Sequence, residues 1–367
     1  MLPDSPLHLP ANLPVPQDDG RTDHLTGALL PDITLTLTQG SACAAHWPNP
    51  FPLSSLRHDP RTFVLFLYPR TGIPGEPPGL GFSGETWESI PGARGCTPQS
   101  CSFRDRFHEL LECNITPIGL STNTPAHQHE FAQRTNLPFP LLSDSQLTLT
   151  SSLILPTFTF PVPACEQSTL LARAAFAVVR GRIHEVWYPV FPPDRNADII
   201  LQWQHGRPLT RACESAADRA FLTSSLLKHF HSTTITSRGA TFAAGDLPAI
   251  IAYDRASDVP LGALTYSLTP EGCEVVTLTS EAPGRGVGAE LLAAAESVAL
   301  TAKAPRLFLT TTNDNLHALG FYQRRGWRLA ALHRDEMMRA RRLFPTIPLV
   351  GMNRIAMRDE LELELPL

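Results

Sequence analysis

Residues 274 to 296 read EVVTLTSEAPGRGVGAELLAAAE. A β-rich run passes into three alternate glycines, Gly284, Gly286 and Gly288, and then into a helical pattern over Val287 to Ala302. A strand that turns through glycine into a long helix is an α/β arrangement. Bare amides in such a turn sit at a helix N-terminus, where they and the helix dipole favour an anion. No Gly-Lys-Ser/Thr follows, which excludes a P-loop. Gly284, Gly286 and Ala289 satisfy G-x-G-x-x-A, a dinucleotide-binding variant. Such a site opens its domain with the first strand of a parallel sheet and has an acid about 20 residues on. Here strand patterns at Ala249 to Tyr253 and Gly262 to Ser267 come first, and no such acid follows.

A chain of 367 residues exceeds one typical core, so two domains are expected. Apolar content of 43% and charged content of 18% fit a globular protein. A net charge of -5 gives no electrostatic footprint for nucleic acid or for an anionic membrane. The first residues, MLPDSPLHLPANLPVPQDDG, have neither a basic start nor an apolar run, so a secretory leader is not expected. No window offers about 20 apolar residues for a membrane span, and the expected location is cytoplasmic. Seven cysteines are an odd number at irregular spacing. In a reducing compartment a close cysteine pair is catalytic or metal-binding sooner than a staple.

Four parts are expected along the chain. Residues 1–30 are a Pro-rich, poorly ordered arm. Residues 31–207 form a first domain, 208–219 a linker, and 220–367 a second domain. In the first domain Thr62 to Tyr68 and Ile115 to Ser121 read as buried strands. Phe103, Phe107, Leu110 and Leu111 recur at helical spacing, and His127 to Arg134 suggests another helix. Ala174 to Val179 and Ile183 to Trp187 read as a hairpin turning at Arg180-Gly181-Arg182. In the second domain the glycine turn and its helix are followed by a strand at Arg306 to Thr311 and a helix at Leu316 to Arg325. A last strand lies around Asp359 to Leu365.

The first domain carries GARGCTPQSCSFRD, residues 92 to 105, with Cys96 and Cys101 five positions apart. A zinc site would show a second close pair or matching histidines, and neither is present, so no metal is expected. Pro98 suits the first turn of a helix. A helix starting near Thr97 puts Cys96 at its N-terminus, where free amides and the dipole stabilise a thiolate. Cys101 then lies in the same helix, rotated by about 140° and raised by about 7.5 Å. Disulfide geometry needs Cα atoms closer than roughly 7 Å with converging Cβ vectors, so the first turn must unwind before the pair can bond. Cys43, Cys113 and Cys165 have no comparable context.

GCTPQSCSFRD resembles the active-site loop of peroxiredoxins of the Q type, the bacterioferritin-comigratory-protein-like branch, whose loop reads G-C-T-x-Q/E-x-C-x-x-R-D. PIGLSTNTPAHQHEFAQRTNLPFPLLSD (117 to 144) is similar to the family's next strand, helix and turn. The resemblance implies a thioredoxin-like fold. It implies that Cys96 is the peroxidatic thiolate, that Cys101 resolves its sulfenic acid, and that Arg173 stabilises thiolate and peroxide. A thioredoxin-like reductant and a peroxide are the implied partners. The family expects Thr or Ser three residues before the thiolate; here that residue is Ala93, and Thr71 is the available hydroxyl.

In the second domain GRGVGAELL resembles the pyrophosphate loop of GNAT acetyltransferases, with Pro283 where the family prefers Gln or Arg. TTNDNLHALGFYQRRGW (311 to 327) is similar to the family's N-x-x-A-x-x-x-Y-x-x-x-G-F/W segment through Asn315, Ala318, Tyr322, Gly326 and Trp327. The resemblance implies that the backbone of Arg285, Gly286, Val287, Gly288 and Ala289 holds the pyrophosphate of acetyl-CoA. A side chain at Gly288 would then block the phosphate. The strand edge at Leu278 to Ser280 would pair the pantetheine arm, with Asn315 beside the cofactor. Tyr322 would protonate the leaving thiolate, and Glu274 is the candidate base, or else a solvated strand carboxylate. The acceptor is an amine of unknown identity. The fold class expected is α/β throughout: a thioredoxin-like peroxiredoxin domain followed by a GNAT domain. The function expected is a peroxidase fused to an N-acetyltransferase; the alternative is one degenerate domain that senses redox state or acetyl-CoA for the other.

Overall fold

The computed structural model describes residues 9–10, 12–40, 47–72, 85–162 and 165–367. Cys43 and much of the loop before Cys96 lie outside the described residues. The chain divides into two compact units, Met1–Gln202 and Trp203–Leu367. The first contains β1 (Thr34–Thr38), β2 (Phe51–Pro52), β3 (Thr62–Leu67), α1 (Glu85–Glu88), α2 (Cys96–Asp105), α3 (Phe107–Glu112), β4 (Ile115–Ser121), α4 (Pro125–Arg134), β5 (Leu141–Ser143), α5 (Thr148–Leu153), β6 (Thr157–Val162), β7 (Cys165–Leu171), β8 (Ala174–Val179), β9 (Arg182–Trp187) and the start of α6 (Asn196–Gly206).

Seven of these strands form one sheet in the order β2-β1-β5-β4-β3-β8-β9. β3 runs parallel to β4 and antiparallel to β8, and every one of its residues is buried. Its side chains alternate between two cores. Phe63, Leu65 and Leu67 join Leu120 and Phe176 on one face. Val64 and Phe66 join Phe103, Phe131 and Phe139 on the other. Phe66 stacks on Phe103 with ring centroids 4.2 Å apart, which pins α2 to the middle of the sheet. A strand covered on both faces has no place for a charge, and TFVLFL has none.

The arm expected over residues 1–30 is not loose where it is described. Leu25 and Leu30 are fully buried in the core, and the Gly27 and Leu30 amides donate to Ile183 and Gly181. Two buried leucines and a backbone pairing with the β8–β9 turn outweigh the proline content that suggested disorder. The hairpin β6–β7 also escaped the sequence pattern. It packs Phe160 and Leu170 on Trp87 and Ala93.

The second unit contains β10 (Leu209–Ala212), α7 (Ala216–Phe230), β11 (Thr234–Ser237), β12 (Ala240–Ala243), β13 (Ala249–Tyr253), β14 (Pro260–Thr269), β15 (Gly272–Ser280), α8 (Val287–Thr301), β16 (Arg306–Thr312), α9 (Leu316–Gln323), β17 (Arg328–His333), α10 (Glu336–Leu343) and β18 (Glu360–Pro366). Its sheet runs β10-β13-β14-β15-β16-β18-β17. α8 lays Val287, Leu291, Leu292 and Ala295 on Ile250, Leu264 and Val275. β15 and β16 are parallel, yet their register covers only Cys273–Val275 against Leu307–Leu309. Beyond that point the two strands part. The segment 208–219, expected as a linker, is instead structured: β10 pairs antiparallel with β13 and forms an edge of the sheet. It was missed because four residues are too short to show a period.

α7 starts on a capping box. Ser215 accepts from the Asp218 amide, and the Asp218 carboxylate accepts from the Ser215 amide. Ser215→Ala should cost about 1 kcal/mol of stability in the second unit. Calorimetric unfolding of the full chain checks this; an unchanged profile would remove the cap from the account.

Two candidate active sites

Cys96 is the first residue of α2, one residue earlier than the sequence suggested. The residue before it, Gly95, has φ +107°, and a Cβ there would collide with Pro193, so only glycine serves. No side chain caps this helix. Cys96 Sγ donates to Ala93 O at 3.6 Å and receives Arg173 Nη2 at 3.3 Å. Arg173 is buried, and a buried guanidinium must find acceptors for its donors. Nε donates to Gly92 O at 3.1 Å, and Nη2 to Ala93 O at 3.1 Å and Arg94 O at 3.2 Å. Nη1 donates to Gln99 Oε1. The turn before Cys96 is therefore wrapped around the cation that meets the sulfur.

Cys101 lies on the same helix, buried, and burial pushes its thiol up from its ordinary range. Thr71 is buried too, but its hydroxyl accepts from Asn123 Nδ2 at 3.1 Å and shares a hydrogen bond of 3.0 Å with His127 Nε2. Among the described residues the hydrogen bonds of Cys96 Sγ go to Ala93 and Arg173, not to Thr71. Ala93 is packed among Trp87, Phe160 and Leu170. Two residues of this site had no assigned role in the sequence reading. Gln99 stood in the quoted loop. Asn196, which accepts from Gln99 Nε2 at 2.9 Å, lies 97 positions away and carried no signal.

The second site forms where β15 leaves β16. Leu278 and Ser280 pair with Leu264 and Gly262 of β14. They lie past the β15–β16 register, so among the described residues no strand takes their other edge. α8 then begins after Gly286, at φ +73°, without a side-chain cap. Around Gly284 and Gly286 the space for a Cβ is open. Gly288 is different from expectation. A Cβ there would lie 2.9 Å from the Phe321 ring, so this glycine lets α8 and α9 approach. Val287 and Ala289 are buried, so neither side chain stands out at the turn. Arg285 is paired with Asp254 at 2.6 Å, and that guanidinium, with the Ser257 amide and hydroxyl, holds the Asp254 carboxyl well below the usual range.

Asn315 caps α9, its side-chain oxygen accepting from the Ala318 amide at 3.1 Å. Tyr322 packs between Phe321 and Trp327, with ring centroids 5.2 and 5.5 Å away. Burial pushes its phenol up to about 12. Glu274 is 2% exposed, which excludes the solvated strand carboxylate. Ser237 Oγ donates to it at 2.6 Å and Arg238 Nη2 at 3.3 Å. Ser237 Oγ also lies 2.9 Å from Thr310 Oγ1. Tyr322 shares a core with Cys273 and Val275, the neighbours of Glu274 on β15. Successive strand residues point to opposite faces, so Glu274 and Tyr322 flank the parting strands from opposite sides of the sheet. Ser237 and Arg238 arrive from the β11–β12 turn, which sequence reasoning did not connect to Glu274.

The AhpC/TSA family model matches residues 89–176, and the acetyltransferase (GNAT) family model matches residues 219–327. The chain joins an AhpC/TSA domain to a GNAT acetyltransferase domain. It is 35% identical over 140 residues to the uncharacterized protein YdhI of Bacillus subtilis (strain 168), covering 38% of this chain and 87% of that protein. It is 28% identical over 109 residues to the chloroplastic peroxiredoxin Q of Populus jackii, covering 29% of this chain and 48% of that protein, under half its length. A Bacillus subtilis acetyltransferase solved in complex with CoA is 20% identical, with a TM-score of 0.33 over 44% of this chain and 99% of that chain. No helix among the described residues is long and apolar enough to cross a membrane.

The GNAT domain offers a direct check on Gly288. Gly288→Ala should overpack the α8–α9 contact and destabilise that domain by about 1–3 kcal/mol. Phe321→Ala in the same chain should relieve part of the added cost, since the ring is what the methyl meets. Thermal unfolding of the four chains decides it; strictly additive losses would refute the contact.

Proposed function

We propose that the AhpC/TSA domain is a thiol peroxidase working through Cys96 and Cys101, and that the GNAT domain is an acetyl-CoA-dependent N-acetyltransferase. We place the division between the two enzymes at Gln202–Trp203. The observation that carries the first reading is the Arg173 guanidinium 3.3 Å from Cys96 Sγ at an uncapped helix start. The Cys96 thiolate attacks one oxygen of hydrogen peroxide or of an organic hydroperoxide. An S–O bond forms as the O–O bond breaks, and the departing oxygen takes a proton to leave as water or an alcohol. Arg173 only donates, so it stabilises both the thiolate and the charge arriving on the leaving oxygen. Cys96 is left as a sulfenic acid. The Cys101 sulfur attacks it, forming the S–S bond and releasing water. This needs α2 to unwind its first turn, because the two side chains diverge in the intact helix. A thioredoxin-like dithiol then reduces the disulfide by exchange.

The observation that carries the second reading is the open backbone of Gly284 and Gly286 at the uncapped start of α8, beside a strand edge that β16 has left. Bound acetyl-CoA supplies the acetyl thioester. The amides from Arg285 to Ala289 hold its pyrophosphate, which both the bare N–H groups and the dipole favour. The backbone at Leu278 and Ser280 pairs its pantetheine arm. Asn315 keeps its amide nitrogen for the ligand, its oxygen being committed to the α9 cap. Tyr322 holds its proton through neutral pH, because burial pushes it up to about 12, and gives it to the leaving thiolate. Glu274 takes the proton of the attacking amine, with Ser237 as the hydroxyl between the carboxylate and Thr310.

Cys96→Ser should abolish peroxide consumption by the full chain. Cys101→Ser should allow one oxidation and then stop, with no intramolecular disulfide. Mass spectrometry of peroxide-treated protein checks both; a reduced Cys96 beside some other oxidised pair overturns the assignment. For the GNAT domain, asparagine tolerates the left-handed backbone, so Gly286→Asn should keep the fold while filling the cradle. Acetyl-CoA affinity by calorimetric titration should fall about tenfold or more in Gly286→Asn and change less than about twofold in Tyr322→Phe. Turnover in Tyr322→Phe should drop about a hundredfold. No binding by the parent chain at millimolar ligand would end the acetyltransferase reading.

A further inference from the structure

Resting on the peroxidase reading, we infer that Asn196 is a positioning residue of the Cys96 site: it fixes which way the Gln99 amide faces, and through it where the Arg173 guanidinium sits. The contacts run outward from the sulfur. Arg173 meets Cys96 Sγ through Nη2 at 3.3 Å and Gln99 Oε1 through Nη1. Gln99 Nε2 donates to Asn196 Oδ1 at 2.9 Å. Arg173 is 2% exposed, and Gln99 and Asn196 are fully buried, so bulk water cannot replace a lost partner. Asn196 Nδ2, the last group in this series, is buried without a hydrogen-bond partner among the described residues.

That orphaned donor follows from the guanidinium. Arginine has donors and no acceptor. Gln99 must therefore turn its carbonyl to Arg173, which sends its NH2 outward. Asn196 must turn its own carbonyl to receive that NH2, which leaves the Asn196 NH2 buried with no acceptor among the described residues. A buried unmet donor is unfavourable, and an asparagine serving only to fill space would not keep one. The unmet group is the cost of handing one orientation through two amides. Without an acceptor at 196, Gln99 is free to flip, and its NH2 would then push the guanidinium off the sulfur. The backbone is placed for this task. Asn196 opens α6 directly after the turn Pro193–Arg195, and Pro193 is the residue that abuts Gly95 at the start of α2.

The test is a double-mutant cycle in the full chain, built from Asn196→Leu and Gln99→Glu. Leucine has a similar size and no acceptor. A carboxylate at 99 presents an oxygen to Arg173 whichever way it turns, so it removes the need for Asn196. Peroxide consumption by the reduced protein and alkylation of Cys96 by iodoacetamide are the two readouts. Asn196→Leu alone should slow both by about tenfold or more. Added to Gln99→Glu, it should change either by less than about threefold. Equal losses in the two backgrounds, or no loss in the parent background, overturn the positioning role while leaving the peroxidase reading intact. A parent chain that neither consumes peroxide nor alkylates at Cys96 overturns both. Should Asn196→Leu fail to fold by circular dichroism, Asn196→Asp carries the test. It keeps the acceptor and discards the orphaned donor, so rates within about threefold of the parent support the role and a loss of about tenfold refutes it.

Discussion

A helix that begins without a side-chain cap leaves its first amides and its dipole to whatever lies beyond the end. Both candidate sites are built on that condition. α2 starts after Gly95 and α8 after Gly286, each glycine left-handed and each helix uncapped. By contrast Thr124, Ser215 and Asn315 close the starts of α4, α7 and α9. α3, α5 and α10 also lack side-chain caps, but Arg106, Leu147 and Asp335 precede them, not glycine. The glycine lets the chain reverse into the helix without placing a side chain where a ligand or a sulfur must sit. In the first unit the sulfur of Cys96 occupies that end; in the second the end is open.

In each unit the fold buries a charge among the candidate site residues and then satisfies it. Burying an unpaired ion costs several kcal/mol, so its partners become fixed points. Arg173 gathers three carbonyls of one turn, the Gln99 amide and the Cys96 sulfur. Glu274 gathers Ser237 and Arg238 from a hairpin tip. The two arrangements are chemical opposites. A donor-only cation imposes a direction on every amide it touches, whereas a carboxylate accepts from hydroxyl and guanidinium alike. That difference is why the thiol site carries its polarity outward to Asn196, while at Glu274 the Ser237 proton is committed to the carboxylate and the Thr310 hydroxyl donates to Ser237.

Local pattern was enough for much of the framework. β3, β4, the β8–β9 hairpin, β13 and α8 stand within a residue or two of where periodicity and glycine placed them, because each is long enough to show its period. The α/β class and the two family memberships were legible for a related reason: a glycine turn between a strand and a helix is a local constraint, and the residues around Cys96 and Tyr322 are contiguous. What pattern could not supply were the short elements β10, β11 and β12, and the packing of Leu25 and Leu30 against strands 150 residues on.

The sequence by itself determined which residues stand at the two helix starts, because left-handed glycines and a cysteine or an open turn behind them are properties of adjacent positions. It did not determine what those residues touch. Gly288 read as a place where a side chain would meet the phosphate, and what a side chain there would meet is Phe321. Thr71 read as a replacement hydroxyl and is held by Asn123 and His127. Glu274 read as base or solvated strand residue and is buried under Ser237 and Arg238. Asn196 had no reading at all. In each case the deciding partner is remote along the chain. Burial and hydrogen-bond satisfaction are enforced between neighbours in space, and only the folded arrangement of both sheets says which residues those are.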